Sequence, residues 1–184
     1  MKITICDLRD DCVTALDARF KGVADVTIRK ADLTKLRADA WGTAGNSFGD
    51  MGGGVDRAID QHFNGQAQRL VQEAIRADFF GELPVGSAVV VRPDPKQPAL
   101  IYAPTMRVPG RLGPTINAYL AARAMLMLAV KNGFATLACP VFGTGVGGVM
   151  PQDAADQMFQ AHRLIVQGEW KQVLHSMQAP YIMR

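Results

Sequence analysis

The sequence contains few cysteines, only three in 184 residues, at Cys6, Cys12 and Cys139. Three unevenly spaced thiols are too few for a disulfide framework and lack the paired spacing of a zinc site. We therefore expect reduced thiols and no bound metal. Long apolar runs are also missing, since the longest, over residues 118–130, contains Arg123 and is short for a membrane span. No apolar segment follows the first two residues, so we expect a cytoplasmic protein without membrane association.

The lysines and arginines do not cluster in the sequence. Together they number 20 against 17 acidic residues, which leaves a net charge of +3. This distribution argues against a dedicated nucleic-acid surface and is compatible with a small anionic ligand. With 48% hydrophobic and 20% charged residues, the chain is expected to form a single domain, residues 1–184, with one sizeable core.

Two signatures of nucleotide binding can be set aside. Neither glycine-rich segment ends in Gly-Lys-Ser/Thr, which excludes a P-loop. Residues 143–148 do match G-x-G-x-x-G, with a predicted strand before them and a predicted helix after them. A Rossmann unit needs a further parallel strand ending in an acid, however, and here Glu169 precedes the only remaining strand candidate, residues 171–176. The match therefore does not indicate an NAD site.

The segment from Gly42 to Ile59 contains six glycines within about a dozen positions. So many glycines are unfavourable unless the backbone turns sharply or lies against a ligand. A helical pattern follows them, and the free N–H groups of a helix N-terminus favour an anion such as phosphate. Asp56 could cap this helix or face a sugar hydroxyl or a reacting carbon. Asn46 could close a turn or bind a hydroxylated ligand with its amide.

The periodicity of apolar residues predicts alternating strands and helices. Two further features have open interpretations. Asp32, at a predicted strand end, could be a helix N-cap or a ligand contact. The proline-rich loop 104–114 carries Arg107 and Arg111, which could be solvated or could contact a phosphate or a partner. The predicted strands are residues 2–8, 23–30, 40–42, 87–92, 100–103, 136–142 and 171–176, and the predicted helices are residues 10–20, 56–63, 66–79, 115–133 and 152–166.

Three motifs together resemble those of the macro domain family. Residues 45–47 (G-N-S) and 52–59 (G-G-G-V-D-R-A-I) are similar to the family signature V-N-A-A-N-S, spacer, G-G-G-V-D-x-A-I, with the same spacing from Asn46 to Asp56. Residues 31–34 (A-D-L-T) are similar to the family's G-D-I-T. Residues 144–148 (T-G-V-G-G) resemble the end of its second loop, S-T-G-V-F-G.

The resemblance implies a three-layer α/β/α fold with a central mixed sheet, which binds ADP-ribose across the carboxyl ends of its strands. It assigns Asp32 to the adenine amino group and the second loop to the pyrophosphate. Asn46 and Asp56 become the catalytic candidates at the distal ribose. The remaining ligand-binding candidates are Leu33, Ala44, Gly53, Gly54, Val55, Gly143, Thr144, Gly145, Val146 and Gly147.

The activity implied by the resemblance is hydrolysis of an ADP-ribose derivative at the distal ribose. The substrate would be an ADP-ribosylated acidic side chain, O-acetyl-ADP-ribose or ADP-ribose-1″-phosphate, and no cofactor is required. Three residues depart from the family pattern. Gly143 replaces a serine, Thr43 replaces the first asparagine, and Gly147 replaces an aromatic residue, which is expected to open the site. Thr43 and Gly147 keep open the alternative of a non-catalytic reader of ADP-ribose, and a structural protein without ligand is a third possibility.

Overall fold

A computed structural model describes residues 1–178, which form a six-stranded central sheet flanked by helices. The spatial order of the strands is β2-β1-β6-β3-β5-β4. In chain order the strands are β1 (Lys2–Asp7), β2 (Val26–Lys30), β3 (Ala40–Thr43), β4 (Val89–Val91), β5 (Ala99–Tyr102) and β6 (Thr136–Pro140). The helices are α1 (Asp10–Arg19), α2 (Gly54–His62), α3 (Gln66–Phe79), α4 (Asn117–Lys131) and α5 (Pro151–Ile165).

All the neighbouring strands run parallel except β4, which is antiparallel to β5. The mixed sheet implied by the resemblance is therefore confirmed. Because parallel strands end at the same edge, the segments that follow β1, β2, β3, β5 and β6 meet there. Both glycine-rich segments are among them, since one follows β3 and the other follows β6.

The two faces of the sheet are covered by different helices. Successive strand residues point to opposite faces, so Ile101 belongs to one core and Leu100 to the other. Beside Ile101, helices α1, α4 and α5 contribute Leu16, Met125 and Met158, all 3% exposed or less. Beside Leu100, helices α2 and α3 contribute Ile59 and Val71, and Trp41 of β3 joins them. Each such side chain stabilises the fold by about 1.5–3 kcal/mol through burial.

The helices that border the carboxyl edge begin at recognisable signals. Helix α2 is preceded by Gly53 at its N-cap and carries Asp56 in its first turn, where a carboxylate opposes the helix dipole. Helix α5 begins with Pro151, and proline is favoured at this first position because the missing N–H would lack an intrahelical partner in any case. The chain thus passes directly from each glycine-rich loop into a helix.

The predicted final strand at residues 171–176 is wrong. The segment begins instead with a short 3-10 helix, Glu169–Gln172, and neither edge strand, β2 or β4, pairs with it within residues 1–178. Gly168 turns the chain with a φ of 77°, and Arg163 Nε donates to Glu169 Oε1 at 2.7 Å. These contacts hold the start of the segment against the end of α5. Leu174, farther along, is 85% exposed and so is not packed against the sheet.

Within the described chain, no helix combines the length and the hydrophobicity that crossing a lipid bilayer requires.

Candidate functional site

A cleft runs along the carboxyl edge of the sheet, between the two glycine-rich loops. It consists of two cavities, of about 390 Å³ and about 400 Å³. We call them the distal cavity, which holds Asn46 and Asp56, and the proximal cavity, which holds Asp32. The residues that line both cavities, and so join them, are Gly54, Val55, Pro140, Val141 and Gly145.

All the site residues predicted from the sequence line this cleft. Those in the distal cavity are Ala44, Asn46, Gly53, Gly54, Val55, Asp56, Gly143, Gly145, Val146 and Gly147. Those in the proximal cavity are Asp32, Leu33, Gly54, Val55, Thr144 and Gly145. The fold therefore brings together residues separated by more than a hundred positions in the sequence.

The first loop is fastened to β5 by a buried tyrosine. The Tyr102 hydroxyl donates to the carbonyl oxygen of Asn46 and accepts from its N–H, both at 2.8 Å. The ring passes so close to Gly45 that a Cβ at this position would overlap the hydroxyl. Gly45 is thus required by the close approach of Tyr102, a reason that the sequence pattern does not disclose.

The Asn46 side chain closes the turn that follows it. Its Oδ1 accepts from the N–H groups of Phe48 and Asp50 at 3.0 and 3.4 Å, and its Nδ2 donates to the Asp50 carbonyl oxygen at 2.8 Å. The turn-closing alternative is therefore realised. Asn46 still lines the distal cavity, and one of its two amide N–H bonds is not used within the loop.

Asp56 is a buried carboxyl at the wall of the distal cavity. It is 8% exposed, and its Oδ1 accepts a hydrogen bond from the Thr43 hydroxyl. Burial raises the pKa of Asp56 to about 6, the Thr43 hydrogen bond opposes this shift, and the charge of Asp50 adds to it. A carboxyl of this kind exchanges its proton close to neutral pH, as general acid-base chemistry requires.

Thr43 was not among the predicted site residues, although its position was noted as a departure from the family pattern. It is fully buried at the end of β3. Its hydroxyl supplies the hydrogen bond that holds the Asp56 carboxylate in place. A contact between side chains 13 positions apart leaves no periodic signal in a single sequence.

The second loop is a compact turn whose amides remain available. The N–H of Gly148 donates to the Gly145 carbonyl, and that of Val149 to the Gly143 carbonyl, both at 3.0 Å. By contrast, the backbone N–H groups of residues 143–147 donate no hydrogen bond to other residues of the described chain. A row of unused amides in a turn forms a concave site for an anion.

Loop 104–114 packs against this second loop. The N–H of Leu112 donates to the Gly147 carbonyl at 2.8 Å, and a Cβ on Gly147 would lie 3.0 Å from Leu112 Cδ1 and 2.6 Å from the Gly143 carbonyl oxygen. Position 147 therefore has no room for a side chain here. Pro109 of the same loop lines the distal cavity, so this loop supplies part of the wall that Gly147 lacks.

The two arginines of that loop lie outside the cleft. Arg107 pairs with Glu82 through two hydrogen bonds of 2.7 and 3.0 Å and is exposed. Arg111 extends beside Gly148, where its Nη1 would lie 2.9 Å from a Cβ on that glycine. Neither lines the distal or the proximal cavity.

In the proximal cavity, Asp32 caps a short 3-10 helix, Leu33–Lys35. Its Oδ1 accepts from both the N–H and the hydroxyl of Thr34, each at 2.9 Å. The other oxygen, Oδ2, has no hydrogen bond to another residue in the described part of the chain. The N-cap role and a ligand role are therefore compatible, since each uses a different carboxylate oxygen.

Arg9 is a further cleft residue that the sequence did not single out. It lines the proximal cavity, and its Nη1 donates to the Thr144 carbonyl at 3.1 Å. The guanidinium also pairs with Asp11, which raises the pKa of Arg9 and lowers the pKa of Asp11. Arg9 thus places a positive charge beside the second loop. Its hydrogen bond to Thr144 also joins that loop to the segment that follows β1.

No group of three or more His, Cys, Asp or Glu side chains in the described chain is arranged to hold a metal ion. Burial raises the pKa of Cys6 to about 12, so its thiol stays protonated and unsuited to ligation or nucleophilic attack at neutral pH.

Comparison with known proteins identifies the family. The family model described as Macro domain matches residues 43–158. The chain belongs to the macro domain family. Among relatives, an uncharacterized protein of Aeropyrum pernix is 35% identical over 147 residues, covering 79% of this chain and 74% of that protein. An uncharacterized protein of Aquifex aeolicus is 37% identical over 142 residues, covering 76% and 81%.

Solved macrodomains share the fold. The macrodomain of Mycobacterium tuberculosis DarG superposes with a TM-score of 0.65 at 19% identity, covering 75% of this chain and 90% of that one. The Oceanobacillus iheyensis macrodomain with ADP also gives 0.65, at 22% identity, covering 75% and 74%. These neighbours confirm the three-layer α/β/α fold with its mixed sheet.

The Tyr102 contact predicts that Gly45→Ala destabilises the protein. Because the new methyl group overlaps the Tyr102 hydroxyl, we expect the free energy of unfolding in urea to fall by about 3 kcal/mol. The matched control is Gly53→Ala, since a Cβ on Gly53 meets no atom within 4 Å and its φ of −133° suits alanine. Equal losses in the two variants would contradict this account of Gly45.

The burial of Asp56 predicts a pH-dependent gain in stability for Asp56→Asn. The folded pKa of about 6 lies above the ordinary value of 3.8, so ionisation costs wild-type stability as the pH rises through this window. Asparagine cannot ionise and avoids this cost. The change in free energy of unfolding caused by the substitution should therefore be more favourable at pH 8 than at pH 4, by on the order of 2 kcal/mol.

Thermal unfolding of both proteins at the two pH values measures this difference, with the exposed substitution Asp78→Asn as control. An effect of Asp56→Asn that is the same at both pH values would contradict the raised pKa.

Proposed function

We propose that the cleft binds ADP-ribose. The observation that carries the proposal is the joining of two cavities, with a carboxylate at Asp32 in one and Asn46 with Asp56 in the other. Each cavity suits one half of an extended dinucleotide-like ligand. Related macrodomains support the choice, because structures of the Thermosipho africanus DarTG and an Oceanobacillus iheyensis variant contain ADP-ribose.

The polar groups of the two cavities support one orientation of the ligand. Adenine lies in the proximal cavity, where its amino group donates to the second oxygen of Asp32. The pyrophosphate lies on the second loop, whose N–H groups at residues 143–147 have no other acceptor in the described chain. The distal ribose then lies beside Asp56, in the cavity that Pro109 and Val146 also line.

We further propose that Asp56 promotes hydrolysis at the distal ribose. Ionised at neutral pH, its carboxylate accepts a proton from water as the water attacks and breaks the ester or phosphate bond that joins the distal ribose to its substituent. The leaving group is an acidic side chain, acetate or phosphate, so the three substrates are an ADP-ribosylated protein, O-acetyl-ADP-ribose and ADP-ribose-1″-phosphate. Thr43 positions the carboxylate, and Asn46 shapes the loop beside it.

A reader of ADP-ribose without turnover is the second candidate. Two contacts favour it: the Asn46 side chain is largely used in closing its own turn, and the Asp56 carboxylate already accepts the Thr43 hydrogen bond. Both contacts reduce the number of polar groups that can act on a water molecule. The reader shares the binding mode of the hydrolase, and only product formation separates the two.

Calorimetric titration with ADP-ribose, ADP, AMP and NAD tests the binding proposal. We expect ADP-ribose to bind most tightly because it alone fills both cavities with a free distal ribose. Asp32→Asn should weaken it at least ten-fold, since one charge-assisted hydrogen bond contributes about 1.5–3 kcal/mol. Asp78→Asn, a substitution at an exposed position of α3, is the control. AMP binding as tightly as ADP-ribose would contradict a ligand that spans the cleft.

Turnover is tested with a mono-ADP-ribosylated protein substrate. If Asp56 is the general base, the rate should rise with pH through about 6 and then level off, because the carboxyl must be ionised. Asp56→Ala should lower the rate at least a hundred-fold. An equally slow release by wild type and variant, with unchanged binding of ADP-ribose, would reject catalysis and identify the reader.

A further inference from the structure

A third, larger cavity lies at the opposite end of the sheet from the cleft. Its volume is about 820 Å³. We call it the basic groove and define it by Lys35, Arg37, Arg92 and Lys96, together with the rings of His62 and Phe134. It shares no lining residue with the distal or the proximal cavity.

The topology explains why residues distant in sequence meet in this groove. Asp39 precedes β3, Pro98 precedes β5 and Ala135 precedes β6, so all three lie at the amino edge of the parallel strands. Arg92 follows β4, which runs antiparallel and therefore ends at the same edge. The lysines and arginines are scattered along the sequence, which argued against a nucleic-acid surface. The fold nevertheless brings four of them together in this groove.

The groove carries an excess of positive charge. None of its four lysine and arginine side chains forms an ion pair within residues 1–178, although six ion pairs of lysine or arginine occur elsewhere in that part of the chain. Among the described residues that line the groove, Asp39 alone carries a carboxylate, and its Oδ2 accepts from the N–H groups of Ala135 and Thr136 at 2.9 and 2.8 Å. Asp39 is therefore turned to the strand ends rather than to the cations.

Planar side chains lie beside these cations. The Arg92 guanidinium lies 5.6 Å from the centroid of the Phe134 ring, and the exposed His62 ring rests edge-on against buried Trp41 at 4.9 Å. A positively charged groove with planar groups suits single-stranded nucleic acid, whose phosphates pair with the cations while its bases stack. An acidic peptide would use the cations alone and leave the planar groups without a role.

We propose that the basic groove binds the phosphodiester backbone of single-stranded nucleic acid, independently of the ADP-ribose cleft. Lys35, Arg37, Arg92 and Lys96 contact phosphates, and the exposed ring of His62 offers a stacking surface to a base. The proposal requires neither catalysis nor ligand at the opposite end of the sheet.

Fluorescence anisotropy of labelled single-stranded DNA and RNA, titrated with the full chain at several salt concentrations, tests the proposal. Wild type should bind at least one of them with an affinity that falls as salt rises. Arg37→Gln/Lys96→Gln should weaken binding about 20-fold at 0.1 M salt and reduce the salt slope by about 1.4, because each phosphate contact contributes about 0.7 on a single strand. The double variant Lys35→Gln/Arg92→Gln should weaken binding and reduce the salt slope to the same extent. It replaces the first double variant if that protein does not keep the circular dichroism spectrum of the wild type.

The control is Lys21→Gln/Arg76→Gln, which removes two exposed cations outside the groove and should leave the affinity within about two-fold, since neither contacts a phosphate. Saturating ADP-ribose should not displace the oligonucleotide. The proposal is overturned if wild type binds neither nucleic acid, if the control loses as much affinity as the groove variants, or if ADP-ribose competes. Equal competition by polyglutamate would overturn it in favour of an acidic protein partner.

Discussion

The pairing of β3 with β6 is the contact on which the cleft depends. These strands are almost a hundred residues apart in the chain, yet Ala40 lies beside Leu137 and Trp41 beside Ala138. Because both strands run in the same direction, the glycine-rich loops that follow them leave the sheet side by side. Without this pairing, each loop would be a separate turn before a helix, and neither could bind two parts of one ligand.

The buried carboxyl of Asp56 is the group in the cleft whose ionisation costs the folded protein stability. Its position on the first turn of α2 and its contact with Thr43 both favour the ionised form, whereas the surrounding protein disfavours it more strongly. The protein therefore keeps an ionisable group whose charge reduces its own stability at neutral pH. Such a residue is expected at a site selected for binding or chemistry rather than for folding.

The sequence predicted the elements whose signals are local. The glycines of both loops, the start of α2 and the acid of Asp32 are visible in short motifs, and the family resemblance then implied the α/β/α fold that the structure confirms. Tyr102, Thr43 and Arg9 were missed because their contacts with the cleft depend on folding, as between Tyr102 and Asn46, 56 positions apart. The final segment was predicted as a strand because its composition is compatible with one, but neither edge strand pairs with it in the described chain, and its first residues form a 3-10 helix instead.

The two ends of the sheet offer different chemistry. At the carboxyl edge, a few carboxylates and turns whose amides are unused within the described chain form the cleft, whereas at the amino edge, lysine and arginine side chains line the basic groove. The most direct test of the central claim is a crystal structure of the chain with ADP-ribose. The account predicts the adenine amino group beside Asp32, pyrophosphate oxygens within about 3.2 Å of the amides of residues 143–147, and the distal ribose beside Asp56. A ligand bound elsewhere, or a pyrophosphate remote from those amides, would contradict it.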